Sequence, residues 1–145
     1  MAITTAMCTS FKSELLGGLH DLDTDSLKLA LIKASPSGTY DATTTNYSDV
    51  TGNSDEATGT NYTAGGQNLD GATISTDGTT AIVDFTDEVF SNVTTSAAGC
   101  IIYNSSASNK AICVIDFGGT VSATAGDLTI EFPAAGASTA VIRIA

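Results

Sequence analysis

The sequence predicts a mostly β protein: a single β-sandwich or jelly-roll-like domain carrying one short N-terminal helix. Three observations lead there. Short apolar stretches recur about every ten residues after Ala72, separated by Gly-, Asn- and Ser-rich turn pieces, which is how all-β sandwiches and barrels read. Threonine is abundant, at 23 of 145 residues; its branched Cβ suits a pleated strand and its hydroxyl keeps an outer face wet. Leu, Ile, Val and Phe together number 32, enough for one core in a chain of this length, and no linker divides it in two.

Residues 1–8 read as an uncharged N-terminal arm. A short helix follows over 9–19. Thr9 or Ser10 supplies a capping oxygen, Phe11, Leu15 and Leu19 recur on one face, and Gly17 and Gly18 end it by tolerating positive φ. Residues 26–33 alternate, with Leu27, Leu29 and Leu31 on one side and Lys28 on the other, which predicts a half-buried strand. Composition then shifts. Residues 34–69 form a long polar insertion of Ser, Thr, Gly, Asn, Asp and Tyr, with Val50 the one large aliphatic before Leu69 closes it. A stretch of that kind inside a compact domain is uncommon, and is usually functional or ordered by a partner.

Residues 72–145 make the strand-rich core. Strands are expected at 72–76, 80–85, 88–93, 99–104, 110–117, 127–132 and 139–144. Segments 99–104 and 110–117 flank a Ser/Asn loop and read as a hairpin. Ile112, Cys113, Val114 and Ile115 are apolar on both faces, which places that hairpin centrally. The last segment runs to the chain end as a paired strand or an edge offered to a neighbour.

Five basic residues face sixteen acidic ones, a net charge of -11. Lys12, Lys28, Lys33, Lys110 and Arg143 are scattered, so no basic patch is expected, which argues against nucleic acid and anionic membranes. The excess acid equally suits plain solubility. No basic segment leads into an apolar one at the start, and no run approaches the roughly 20 residues that span a bilayer. The expectation is a soluble protein made in the cytoplasm. Cys8, Cys100 and Cys113 are odd in number and widely spaced. They read as small buried hydrophobes, neither a disulfide framework nor a metal set.

No catalytic constellation emerges. The lone histidine, His20, reads as a helix-end or turn residue. The run Asp21-Leu22-Asp23-Thr24-Asp25 opens like a calcium loop, but the sixth and twelfth positions hold Ser26 and Ile32 where Gly and Glu are needed. Turn-forming aspartates explain it better. Gly65-Gly66 and Gly118-Gly119 lack the context of phosphate loops. Asp84, Asp87 and Glu88 offer paired carboxylates, but the chain has no Trp to stack a sugar. The reading is therefore no enzyme, no cofactor and no metal.

Partner contacts are expected from two segments. Residues 1–11 carry Ile3, Met7 and Phe11. Residues 40–69 carry Tyr40, Tyr47 and Tyr62, which can bury rings while keeping hydroxyls bonded, beside Asp41, Asp49, Asp55 and Glu56. The alternative is that this second stretch covers the sheet of its own subunit.

Several pieces resemble a family of small virion proteins of tailed bacteriophages. They are Ser10-Phe11-Lys12-Ser13-Glu14-Leu15-Leu16-Gly17-Gly18-Leu19-His20, Leu27-Lys28-Leu29-Ala30-Leu31-Ile32 and the segment from Gly59 to Leu69. Ile102-Tyr103-Asn104-Ser105, Asp116-Phe117-Gly118-Gly119 and Ile130-Glu131-Phe132-Pro133, with the ending Val141-Ile142-Arg143-Ile144-Ala145, complete the set. The resemblance implies a virion location and transfers no active site. A small, soluble, many-copy chain fits a capsid decoration (cement) protein, bound between major capsid subunits on the capsid surface. Its partners would be itself, as a homotrimer, and the major capsid protein. A tail, neck or adaptor protein and a virion-surface carbohydrate-binding module stay open as alternatives.

Overall fold

The computed structural model describes residues 2–145. Its strands are β1 (Ala2–Ile3), β2 (Ala6–Met7), β3 (Leu27–Lys33), β4 (Thr39–Tyr40), β5 (Gln67–Asn68), β6 (Thr73–Asp77), β7 (Thr80–Asp84), β8 (Glu88–Asn104), β9 (Lys110–Ile130) and β10 (Ile142–Ile144). Helix α1 (Thr9–Leu16) lies between β2 and β3, and the single-turn α2 (Ser48–Gly52) lies in the polar stretch. A five-stranded sheet runs in the order β2-β9-β8-β3-β5, a three-stranded one in the order β10-β7-β6, and β1 pairs with β4. The protein is mostly β and sandwich-like, as its sequence predicts.

The long hairpin β8–β9 departs from the expected strand set. The segments 88–93 and 99–104 are one strand, as are 110–117 and 127–132. The glycines that read as chain reversals serve bulges instead. Ala97 pairs with Val121 and Gly99 with Asp116, so residues 117–120 face the single residue Ala98. Gly118 takes φ +77° there, and Ala125 takes φ +48° in a second irregularity between Val93 and Thr95. Bulges bend a strand without ending it.

Helix α1 is shorter than expected. Cys8 stands at the N-cap and neither Thr9 nor Ser10 caps it; the Thr9 N–H instead donates to the Ala42 carbonyl. The C-terminal signal holds: Gly18, at φ +77°, lets its own N–H reach the Leu15 carbonyl and the Leu19 N–H reach that of Glu14. Strand β3 is buried on both faces from Leu29 to Ile32 rather than half-buried. The polar stretch pairs along the edge of β3: the Lys33 N–H donates to the Asp55 carbonyl and the Ala57 N–H to that of Leu31.

Residues 34–69 contribute several side chains to the core. Tyr40, Val50, Ala57 and Leu69 join one apolar cluster with α1, the large hairpin and the small sheet. The stretch packs on its own subunit through these residues, as its alternative reading has it, while Tyr47 and Tyr62 stay partly exposed. At Gly66 the backbone approaches β3 so closely that a Cβ would lie 1.8 Å from the Leu29 carbonyl oxygen.

Candidate functional site

Two carboxylates organise the polar stretch. Asp55 is fully buried and accepts from Ser37 N and Oγ, Gly38 N, the Tyr40 hydroxyl and Lys33 Nζ, the last at 2.9 Å. Burial alone would raise its pKa, but the donors from Ser37, Tyr40, Gly38 and Lys33 outweigh it and hold the carboxyl well below the usual range. Glu56 accepts the hydroxyls of Tyr47 and Tyr62 and the Gly65 N–H. Tyr47 stacks on Tyr103 with ring centres 4.5 Å apart. Burial pushes the Tyr40 and Tyr103 phenols up to about 12, and those of Tyr47 and Tyr62 up as well. These groups brace the fold, with Asp55 held charged and the four phenols held neutral near pH 7.

His20 sits at the helix end, as its sequence context suggests. Its Nε2 lies 3.1 Å from Glu14 Oε2, and its Nδ1 lies 3.0 Å from the Asn104 amide nitrogen. The Asn104 carbonyl oxygen accepts from Ser106 and Ala107, which orients the amide so that it donates to the imidazole and to Asp25. The network ties the end of α1 to the turn of the long hairpin. The Asp21–Asp25 run is a turn whose carboxylates accept the Asp21 and Asp23 N–H groups. Among the described residues no group of three or more His, Cys, Asp or Glu side chains is placed to hold a metal.

The contact residues expected from sequence divide. Phe11 and Tyr40 are 0% and 1% exposed, so neither is available to a partner in this conformation. Phe11 packs 5.0 Å from the His20 ring, and Tyr40 is held by Asp55. Ile3, Met7, Tyr47 and Tyr62 are half-buried against the same core. Asp41 accepts from Thr43, and Asp49 from Thr45 and Asn46, so both carboxylates are engaged locally.

The surface that sequence reading missed lies between α1 and the small sheet. Met7, Lys12, Leu15, Leu16, Arg143 and Ile144 line an apolar groove of about 400 Å³. It continues past Leu15 and Ile144 into a second groove of about 370 Å³, bounded by Leu22, Ile74 and Ile142. Leu16 is 91% exposed, Ile74 54% and Ile144 48%. Two of the five cations meet here, although sequence places Lys12 and Arg143 at opposite ends of the chain. Arg143 donates one N–H to the Ala137 carbonyl. Neither cation has a carboxylate partner among the described residues. A third groove, of about 380 Å³, runs beneath β9 between Phe117, Leu128, Phe132 and Val141. The hint in the sequence was Leu16, an apolar residue next to Leu15 that an amphipathic pattern leaves on the wet side.

No protein family, no curated protein and no solved structure matches the chain. Among the described residues no helix is long and apolar enough to cross a membrane.

Proposed function

We propose that this chain is a non-enzymatic structural protein of a tailed-phage virion, a decoration (cement) protein that packs on the capsid surface against copies of itself and the major capsid protein. The observation that carries the reading is the exposed apolar surface around Leu16, Ile74 and Ile144. Contiguous apolar surface of this kind marks sites of protein association, while Asp55, Glu56 and His20 are fully engaged in bracing the fold. The resemblance to small virion proteins supplies the setting, and the acidic surface suits a protein that stays soluble until it assembles.

Copy number in purified particles tests the proposal. A number that scales with the major capsid subunits supports cement. A number matching a single ring or vertex moves the chain to the neck or tail, and absence from particles removes the virion reading altogether.

A further inference from the structure

We infer that the outer edge of β9, over residues 121–130, accepts an extended segment of a partner protein as an added strand, one that alternates apolar residues with Lys or Arg. The inference deepens the proposed function by naming how a partner is held. It rests on that reading for the source of the segment, the major capsid protein.

The backbone selects a strand. β8 fills one edge of β9, while β2 meets the other only at Cys113 and Val114. Past Asp116, whose N–H donates to the Thr5 hydroxyl, no strand lies on that side. Among the described residues no backbone hydrogen bond joins residues 121–130 to anything outside the hairpin. The opposite edge of the hairpin is covered: the Thr94 N–H donates to the Thr60 carbonyl, and the Asn61 side-chain amide to that of Asn92. The other sheet edges are shorter, with two residues in β2 and β5, three in β10 and five in β6. A long edge of free N–H and carbonyl groups is a template for a further strand.

The side chains select its chemistry. Val121, Leu128, Ile130 and Phe132 line the apolar groove beneath β9, with Val141 on its far wall. Successive strand residues point to opposite faces. Asp127 and Thr129 therefore stand on the other face, exposed, and Glu131 continues that row. Neither carboxylate forms an ion pair among the described residues. A strand laid along this edge sets every second side chain over the groove and the rest beside the carboxylates. A second copy paired edge to edge would bring the same carboxylates to both sides of the new ladder, in a chain of net charge -11, and like charges across a strand pair destabilise it. A segment with Lys or Arg on its outer face meets them favourably. Charge complementarity thus favours a foreign segment over a copy of this chain.

Amide hydrogen exchange of the full chain tests this, with an alternating Val-Lys peptide of about eight residues, an ordinary strand length, as the probe. The peptide is expected to slow exchange within residues 121–130 and to leave β2, β5, β6 and β10 unchanged, while an alternating Val-Glu peptide has no effect. Val121→Asp should weaken binding by about tenfold, the worth of one apolar contact of that size. Thr129→Lys with Glu131→Lys, both at exposed positions, should keep the circular dichroism spectrum and reverse the preference toward Val-Glu; this variant decides even if Val121→Asp misfolds. No slowing by Val-Lys at millimolar peptide, slowing centred elsewhere, or equal binding of both peptides overturns the inference. So does protection of 121–130 that rises with the chain's own concentration, which would make a second copy the occupant. A charge-reversed variant that still decorates particles in full sinks the edge contact alone. A chain that holds the peptide but is absent from particles sinks only the virion reading.

Discussion

The Tyr40 hydroxyl donates to Asp55 Oδ2 at 2.6 Å with both residues shielded from water, joining two points fifteen positions apart in the most polar part of the chain. That bond sits at the centre of the cluster that folds residues 34–55 onto β3. Lys33 closes the cluster from the strand side, and the N–H groups of Ser37 and Gly38 close it from the loop.

Asp55→Ala should therefore be among the most damaging single changes. It removes the charged acceptor shared by Ser37, Gly38, the Tyr40 hydroxyl and the half-exposed Lys33, and each buried donor left short of its bond costs about 1–3 kcal/mol. Asp55→Asn keeps the shape and should cost less. The pH dependence follows from the lowered pKa of Asp55 in the fold. Its contribution is complete above the unfolded aspartate value of about 3.9 and is lost as pH falls from there toward the folded value. Urea unfolding from pH 7 down to pH 3 should show a falling acid limb in the wild type. A flatter limb in Asp55→Asn assigns that fall to this residue.

Tyr62 and Tyr47 both donate to Glu56, yet they should respond differently to loss of the hydroxyl. The Tyr62 oxygen also accepts the Leu31 N–H at 2.9 Å, standing in for a strand partner on the outer side of β3. Tyr62→Phe orphans that donor, at about 1–3 kcal/mol. Tyr47→Phe loses one hydrogen bond and keeps its stack on Tyr103, so about 1 kcal/mol is expected. Thermal unfolding of the two variants in one buffer gives the order. Equal losses would mean that the Leu31 N–H finds another acceptor.

Glycine at 66 should be indispensable for a geometric reason. It sits at φ +76°, and an added Cβ would collide with the Leu29 carbonyl, a backbone group that cannot move aside. The left-handed backbone alone costs an alanine about 1–3 kcal/mol, and the collision displaces β5 from β3. Gly66→Ala should lower stability more than Gly52→Ala, where nothing lies within 4 Å of the new methyl. Amide exchange at Leu29 and Leu69 should rise along with it.

What was legible beforehand was local. The helix stop at Gly17-Gly18 and the strand around Leu27, Leu29 and Leu31 depend on neighbours in sequence; both elements form, the helix ending at Leu16 and the strand buried on both faces where one was expected wet. Long-range pairing decided the rest. Gly118-Gly119 and Ala125-Gly126 have the composition of turns, but the register with β8 converts them into bulges. Tyr40 read as interface surface because its partner Asp55 becomes adjacent only after α2 has turned the chain. The groove was invisible because α1 and β10 lie at opposite ends of the sequence. Counting Lys12 and Arg143 as scattered was true along the chain and misleading in space.

The three thiols offer a probe of how this fold opens. Cys8, Cys100 and Cys113 are free and buried. Burial, then the Asp49, Asp41 and Glu14 charges, raises Cys8 to about 12, and burial raises Cys100 and Cys113 too. A thiol needs both exposure and thiolate character to react, so no labelling is expected in the native state at neutral pH. Their positions differ. Cys100 and Cys113 lie in the central strands β8 and β9, paired on both sides, whereas Cys8 joins the two-residue strand β2 to α1 and is tied to β9 through its N–H on Ile112. Local opening draws on the least-connected elements first. Cys8 should therefore label at denaturant concentrations where Cys100 and Cys113 remain protected, with the latter two appearing together at the global transition. Mass spectrometry of labelled peptides across a urea series checks this. Simultaneous labelling of all three would show that the N-terminal arm and the long hairpin unfold as one unit.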